Sequence, residues 1–227
     1  MARRRAKPSS RPSGPELVDD DAVRRQLRRL NRILPDAVCA LHHRNAFELL
    51  VATILSAQCT DKLVNDVTPA LFAKYPDARA LAVAKLPDVE ALVRRASFWR
   101  QKSKNLVAMA GLLVERHGGE VPRTMDELVA LPGVARKTAN VVLGSWFAIS
   151  SGIVVDTHVE RLANRLGFVE VEGAVKIERA LMERIPRKRW ILFAHQLILH
   201  GRQTCRALRP KCEGCALAAD CPSREVG

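Results

Sequence analysis

The chain has 227 residues, 48% of them hydrophobic, which is enough to bury one good core or two small ones. Lysine and arginine outnumber aspartate and glutamate by 37 to 24, so the formal net charge is +13, and the excess predicts a polyanionic partner. No apolar run approaches the ~20 residues of a membrane span, and no basic amphipathic helix stands out, so nucleic acid is favoured over a membrane surface.

The N-terminal third is predicted to be a basic tail followed by helices. Residues 1–16 are rich in arginine, proline and serine and have nothing that builds a core, so we predict a disordered tail. Val23, Leu27 and Leu30 then recur at helical spacing in a helix that ends near Pro35. The segment 46–58 is apolar almost all round, which predicts a central buried helix.

Helices are also predicted for 62–74, 89–95 and 102–117, and no convincing strand is found. Gln58 stands between the apolar helix and a polar loop, where most glutamines are surface residues or caps. Phe98 and Trp99 are adjacent large rings among basic side chains. Ordinary core packing is the alternative for both rings and is favoured for Trp99.

A short helix, a turn and a second helix are predicted between about 124 and 147. Thr124 and Glu127 have capping-box spacing and begin the first helix. Pro132 stops that helix, and Gly133 permits a turn that a Cβ would hinder. The second helix begins near Arg136, and the amide groups at its start form an anion site that a phosphate usually occupies.

Two charged residues near this motif are candidates for chemistry. Lys137 lies in the first turn of the second helix, where the helix dipole disfavours a cation, and a nucleophilic lysine needs such help. Asp156 supplies a carboxylate further along the chain. The alternatives are that Lys137 is a second phosphate contact and that Asp156 only caps the helix beginning at Thr157.

Three helices, at 160–166, 174–185 and 189–200, lead to four closely spaced cysteines, and Gly201 is predicted to end the last helix. Six, two and five residues separate consecutive members of this cysteine array: Cys205, Cys212, Cys215 and Cys221. The N-terminus lacks the apolar segment of a signal peptide, so a reducing compartment is expected, where clustered thiols are usually metal ligands. Spacing alone leaves structural zinc and iron–sulfur both open.

Four motifs together resemble the helix-hairpin-helix DNA glycosylase superfamily, and in particular its endonuclease III branch. They are residues 55–61 (LSAQCTD), the hairpin with its 137–143 run (KTANVVL), residues 155–158 (VDTH) and the six-two-five cysteine spacing. The similarity runs from about Leu17 to Cys221, nearly the whole chain.

The resemblance implies an all-α fold of two helical lobes flanking a DNA groove. One lobe is a six-helix domain at about 39–149 that contains the helix-hairpin-helix motif. The other joins 17–38 to 150–227 and carries a [4Fe-4S] cluster on Cys205, Cys212, Cys215 and Cys221, which acts as a structural pin. Lys137 and Asp156 are expected to face each other across the lobe boundary.

The implied function is a bifunctional DNA glycosylase and AP lyase that removes oxidised pyrimidines from damaged double-stranded DNA in base excision repair. Lys137 would attack C1′ and form a Schiff base, with Asp156 supporting it. Gln58 would fill the space of the flipped base, and Phe98 would intercalate. The other predicted DNA contacts are Gly133, Val134, Ala135, Arg136 and Thr138. The protein is expected to be a monomer in the bacterial cytoplasm, associated with the nucleoid and not with a membrane.

Two positions depart from the family pattern. Ala135 and Ser97 replace family glycines, which puts DNA affinity in question more than chemistry.

Three other functions remain as alternatives. An adenine-mismatch glycosylase shares the cluster and the aspartate but lacks the lysine, whereas oxidised-guanine glycosylases mostly lack the cluster. The third alternative is a non-enzymatic DNA-binding module with a structural zinc.

Overall fold

The structure, a computed structural model, describes residues 17–224. Helices and short 3₁₀ turns make up its regular secondary structure, and no β-strand occurs in that range, which confirms the predicted all-α class. The predicted basic tail, residues 1–16, lies outside the described residues. The α-helices, in chain order, are α1 (Asp20–Ile33), α2 (Ala46–Ser56), α3 (Asp61–Lys74), α4 (Ala78–Ala82), α5 (Leu86–Val93), α6 (Trp99–His117), α7 (Met125–Val129), α8 (Arg136–Ser145), α9 (Thr157–Arg165), α10 (Ala174–Arg184) and α11 (Trp190–Gln203).

Most helices lie where the apolar periodicity predicts them, with two differences. The short helix α4 has no counterpart in the prediction, because five residues are too few to show a helical period. Gly201 was predicted to end the last helix but lies inside α11. A Cβ at Gly201 would come within 3.1 Å of the Arg161 guanidinium and the His158 ring, so the glycine makes room for α9 rather than stopping α11.

The chain divides into two compact units. The hairpin unit comprises Asp36–Val154 and Arg187–His195, and the cysteine unit comprises Met1–Pro35, Val155–Pro186 and Gln196–Gly227. The family resemblance instead implies lobe boundaries near 38/39 and 149/150. Residues 187–195, predicted with the cysteines, group with the hairpin unit.

The hairpin unit is built around α2. Residues 47–55 of this helix are all buried, as its uniformly apolar sequence predicts, and α2 packs against α3, α6 and α8. A central helix needs apolar side chains on every face, whereas its neighbours show them on one face only. The ends of α2 and the starts of α6 and α8 are therefore positioned by one continuous core.

The cysteine unit joins α1, α9, α10 and the last part of α11. Its buried apolar side chains come from all four helices: Leu30, Val159, Leu162, Leu181 and Leu197, with Phe168 in a connecting segment. None of the described helices has the length and apolar character needed to cross a membrane.

Candidate functional site

The hairpin motif has the local structure that its sequence predicts. Thr124 caps α7, its hydroxyl oxygen accepting a hydrogen bond from the Glu127 N–H at 3.3 Å. The turn closes where the Val134 N–H donates to the Leu131 carbonyl at 3.1 Å, with Gly133 at φ +78°. Ala135 occupies the N-cap of α8 and supplies no side-chain cap. A helix N-terminus without a side-chain cap is suited to bind an anion.

The predicted DNA contacts of the hairpin differ in their surroundings. Gly133, Ala135 and Arg136 are exposed and Thr138 is half-buried. Val134 is buried, and its N–H already donates within the turn, so neither its side chain nor that N–H faces solvent. Ala135 has φ −89° and ψ 167°, an extended conformation that alanine adopts without strain. The family glycine is therefore not required at Ala135 for the backbone seen here.

Gly133 is different, because its backbone is in the left-handed region and its surroundings are crowded. A Cβ there would lie 2.9 Å from Asn105 Nδ2 and 3.0 Å from Asn105 Cβ. We expect Gly133→Ala to lower the free energy of unfolding by about 1–2 kcal/mol, the cost of a left-handed non-glycine residue, as measured by denaturant unfolding. Ala135→Gly is the matched control and should be close to neutral, because glycine serves an N-cap at least as well as alanine. Equal stability of the two variants would contradict a strained turn at Gly133.

Lys137 and Asp156 lie at two helix starts, one in each unit. Lys137 is the second residue of α8, and its side chain is exposed. Asp156 is the N-cap of α9, and its Oδ1 accepts hydrogen bonds from the His158 N–H at 2.9 Å and the Val159 N–H at 2.8 Å. The capping role considered from the sequence is therefore present. Both cap bonds use Oδ1, so Oδ2 takes no part in the cap.

All four cysteines of the array line one cavity of about 90 Å³ in the cysteine unit. Each is half-buried, and none forms a disulfide. Burial raises the pKa of Cys215 and raises the pKa of Cys221 to about 11. Among residues 17–224 no group of three or more histidine, cysteine, aspartate or glutamate side chains is placed to hold a single metal ion. The four thiols thus share the lining of one cavity, and thiolates are ligands of zinc and of iron–sulfur clusters.

Two arginines of α9 donate hydrogen bonds to backbone carbonyls at and just before the start of the cysteine segment, residues 205–221. This role was not predicted from the sequence. Arg161 donates to the carbonyls of Gly201 and Cys205, each at 3.0 Å. Arg165 donates to the carbonyls of Arg206 at 2.7 Å and Ala207 at 3.0 Å. The basic character of α9 was visible in the sequence, but its carbonyl partners lie 40 or more residues away.

The other end of the cysteine segment is bonded to α1 through Asp220. Asp220 forms ion pairs with Arg25 at 2.8 Å and Arg29 at 2.5 Å. Gln26, which is fully buried, donates from Nε2 to the Asp220 carbonyl at 2.8 Å and to the Leu166 carbonyl at 3.0 Å. Helix α1 and the cysteine segment are thus joined by direct contacts, although Gln26 and Asp220 lie 194 positions apart in the sequence.

Three histidines near these elements are packed or hydrogen-bonded. His195 lies 3.3 Å from the Ser145 hydroxyl, His200 lies 3.5 Å from Cys215 Sγ, and His158 lies 3.2 Å from the Arg161 guanidinium. Burial lowers the pKa of both His195 and His200, which favours their neutral forms.

Gln58 and Phe98 are both exposed and both have φ +55°, a left-handed conformation that is uncommon for residues other than glycine. The Phe98 side chain is 65% exposed, whereas Trp99 packs partly buried against the core. The aromatic pair therefore divides as expected, with Trp99 inside and Phe98 outside.

Comparison with known proteins places this geometry in a family. The model of the HhH-GPD superfamily of base excision DNA repair proteins matches residues 51–187, more than half of the chain. Endonuclease III of Synechocystis sp. is 50% identical over 197 residues, covering 87% of this chain and 90% of that protein. Endonuclease III of Bacillus subtilis is 43% identical over 196 residues, covering 86% and 89%.

Solved structures with a similar backbone include endonuclease III bound to DNA. A trapped endonuclease III–DNA covalent intermediate, in an estranged-adenine complex, superimposes with a TM-score of 0.86 at 42% identity. The match covers 91% of this chain and 97% of that one.

Proposed function

The chain belongs to the endonuclease III family of HhH-GPD base excision repair proteins, and from that premise we propose that it removes oxidised pyrimidines and nicks the strand through Lys137. The family is one of DNA glycosylases with AP lyase activity. The observation that carries the finer proposal is an exposed lysine in the first turn of the uncapped helix α8. A similar protein has been trapped in a covalent intermediate with DNA, which supports a nucleophile on the protein.

In the proposed reaction the Lys137 amine attacks C1′ of the damaged nucleotide. The bond from C1′ to the base breaks, and the base leaves with the electron pair and takes up a proton. The nitrogen gives up one proton and expels the ring oxygen, which is protonated, so that an iminium joins nitrogen and C1′. Loss of a proton from C2′ then expels the 3′ phosphate with the electron pair of its C3′–O bond.

Asp156 is proposed to support the positive charge that develops on the sugar and the lysine. A carboxylate stabilises such charge electrostatically without itself reacting. The α9 cap fixes Oδ1 through two backbone N–H groups, so the carboxylate is held in one orientation. A cap and a charge-stabilising group are therefore compatible roles for the same side chain.

The proposed partner is damaged double-stranded DNA, contacted by the start of α8 and by the basic surface. The solved relatives include endonuclease III complexes with DNA, both covalent and non-covalent. The net charge of +13 supplies the attraction to phosphates, and the hairpin turn supplies a local phosphate site. Gln58 and Phe98 are proposed to enter the duplex from exposed turns.

Cys205, Cys212, Cys215 and Cys221 are proposed to hold a [4Fe-4S] cluster. Four thiols that line one cavity suit such a group. Hydrogen bonds from Arg161 and Arg165 and the ion pairs of Asp220 hold the cysteine segment in place. The cluster would cross-link this segment and leave the sugar chemistry to the side chains.

We expect the purified protein to be coloured and to contain about four iron atoms per chain, as a [4Fe-4S] centre requires. Cys212→Ser should lose most of the iron, because it removes one thiolate ligand. Cys39→Ser, which changes a cysteine outside the array, is the control and should keep its iron. Iron, sulfide and zinc analysis together decide the matter, and one zinc without iron would replace the proposed cluster by a zinc site.

The substrate is tested with matched duplexes that differ in one base. They carry an oxidised pyrimidine, an oxidised guanine, an adenine opposite an oxidised guanine, or no damage. Strand nicking should be fastest by far on the oxidised pyrimidine. Preference for either purine substrate would reassign the chain within the superfamily, and failure to nick any of them, or an abasic duplex, would leave only a DNA-binding role.

A further inference from the structure

A buried lysine, Lys102, joins the two turns that carry Gln58 and Phe98. Only 6% of this residue is exposed, although it lies in the first turn of α6 beside the surface loops. Lysine is almost never fully buried unless it is paired. Here no carboxylate pairs with it among its described partners, which are two backbone carbonyls and a thiol.

The partners of Lys102 all belong to the end of α2 and the turn after it. Its Nζ donates to the Leu55 carbonyl at 2.7 Å and to the Ala57 carbonyl at 2.6 Å, and it lies 3.4 Å from Cys59 Sγ. The last carbonyls of a helix lack intrahelical partners and form the negative end of its dipole. The ammonium of Lys102 in α6 therefore caps the C-terminal end of α2. Its two carbonyl partners, Leu55 and Ala57, lie just before Gln58 in the chain.

Ser97 connects this turn to the one that carries Phe98. Its hydroxyl donates to the Gln58 carbonyl at 3.0 Å, and its N–H donates to Cys59 Sγ at 3.2 Å. Cys59 thus contacts both Lys102 and Ser97. The hydroxyl bond depends on serine at a position where the family pattern has glycine, so this chain makes a link that a glycine cannot make.

The linked turns contain two left-handed residues that are not glycine, Gln58 and Phe98. Such conformations are strained and persist where the surrounding structure over-determines them. The hydrogen bonds of Lys102 and Ser97 supply that constraint, since they fix the carbonyls of Ala57 and Gln58 and the amide of Ser97.

Resting on the proposed function, we propose that Lys102 is a positioning residue for lesion recognition. It holds the Gln58 turn and, through Cys59 and Ser97, presents Gln58 and Phe98 as one preformed pair. Because the two turns are already ordered in the free protein, binding of a flipped nucleotide does not carry the entropic cost of ordering them. Lys102 itself touches neither the sugar nor the base.

The test measures lesion recognition separately from general DNA binding. Dissociation constants are compared for an undamaged duplex and for one with a stable abasic analogue, together with the fluorescence of 2-aminopurine beside the lesion. Lys102→Met keeps the length of the side chain and removes the ammonium. It should lower the preference for the abasic duplex about tenfold, as expected for lost bonds to a charged donor, and reduce the fluorescence rise, with undamaged-duplex affinity unchanged.

Ser97→Ala removes only the hydroxyl from an exposed position and should lower the preference in the same direction, by about threefold. In the double variant the two effects should not add, because both act on the same turn. Lys104→Met, an exposed lysine on the same helix, is the control for loss of one positive charge and should keep the preference. Thermal melting by circular dichroism sets a temperature at which all the proteins compared are folded.

Unchanged preference and fluorescence in a folded Lys102→Met protein would overturn the inference, as would an equal loss in Lys104→Met. If Lys102→Met does not fold, Ser97→Ala decides, and an unchanged preference in that variant overturns it. The proposed function is judged by the wild type alone. A wild type that neither prefers nor nicks the abasic duplex refutes the function, whereas an active wild type with insensitive variants refutes only the role of Lys102.

Discussion

The Lys137→Gln protein is expected to bind an abasic duplex and to form no crosslink when borohydride is added. Borohydride reduces an imine between a lysine and C1′ to a permanent amine, so trapping reports the covalent step directly. Glutamine keeps much of the length and the polarity of lysine but has no nucleophilic amine. We therefore expect trapping and strand nicking to be lost below detection, the largest effect of any single change proposed for this chain.

Binding should survive because the phosphate site does not depend on the lysine side chain. The turn at Gly133 and the uncapped start of α8 are backbone features, and Lys137 is exposed, so its replacement leaves the core of the hairpin unit intact. Removing one positive charge should weaken binding slightly and make it less dependent on salt. A gel-shift titration with an abasic analogue measures this separately from chemistry.

Lys104 and Lys176 are the control positions, since both are exposed lysines. Their glutamine variants should trap as the wild type does. If Lys137→Gln is trapped in full, another amine performs the chemistry and the proposed mechanism fails, even though the family assignment stands. If trapping and binding are lost together, the variant has damaged the DNA site, and the role of Lys137 as nucleophile is not supported.

Much of the fold follows from local chemistry that is readable in the sequence. The uniformly apolar α2 was predicted to be central, and the Thr124 cap and the Gly133 turn follow from residue types whose conformational preferences are strong. Gly201 shows the limit of this reasoning. A glycine after an amphipathic helix usually ends it, but here close packing against Arg161 and His158 explains the residue.

The candidate site was predictable where a motif fixes the spacing, as for the four cysteines that line one cavity. It was not predictable where distant residues determine a backbone. Nothing in the residue types of Gln58 and Phe98 indicates a left-handed conformation, because the constraint comes from Lys102 and Ser97, about 40 residues away from Gln58. Because a lysine is expected at the surface, the burial of Lys102 could not be predicted from the sequence either.

Asp156→Asn should fold normally, bind an abasic duplex normally and turn over about 10²–10³-fold more slowly. That range corresponds to the roughly 2.7–4 kcal/mol lost when one preorganised electrostatic contact is removed from other enzymes. Asparagine is as good an N-cap as aspartate, and its side-chain oxygen can accept the same bonds from His158 and Val159. The substitution therefore removes the charge while the start of α9 is preserved.

The matched control is Asp19→Asn, which makes the same change at the N-cap of α1, where Asp19 accepts from the Ala22 N–H at 2.7 Å. Single-turnover nicking and thermal unfolding are measured for both variants. We expect both to melt close to the wild type and only Asp156→Asn to lose turnover, because only that carboxylate is proposed to act on the sugar. If Asp156→Asn nicks at nearly the wild-type rate, the carboxylate is a cap and no more, and Lys137 must work without its charge.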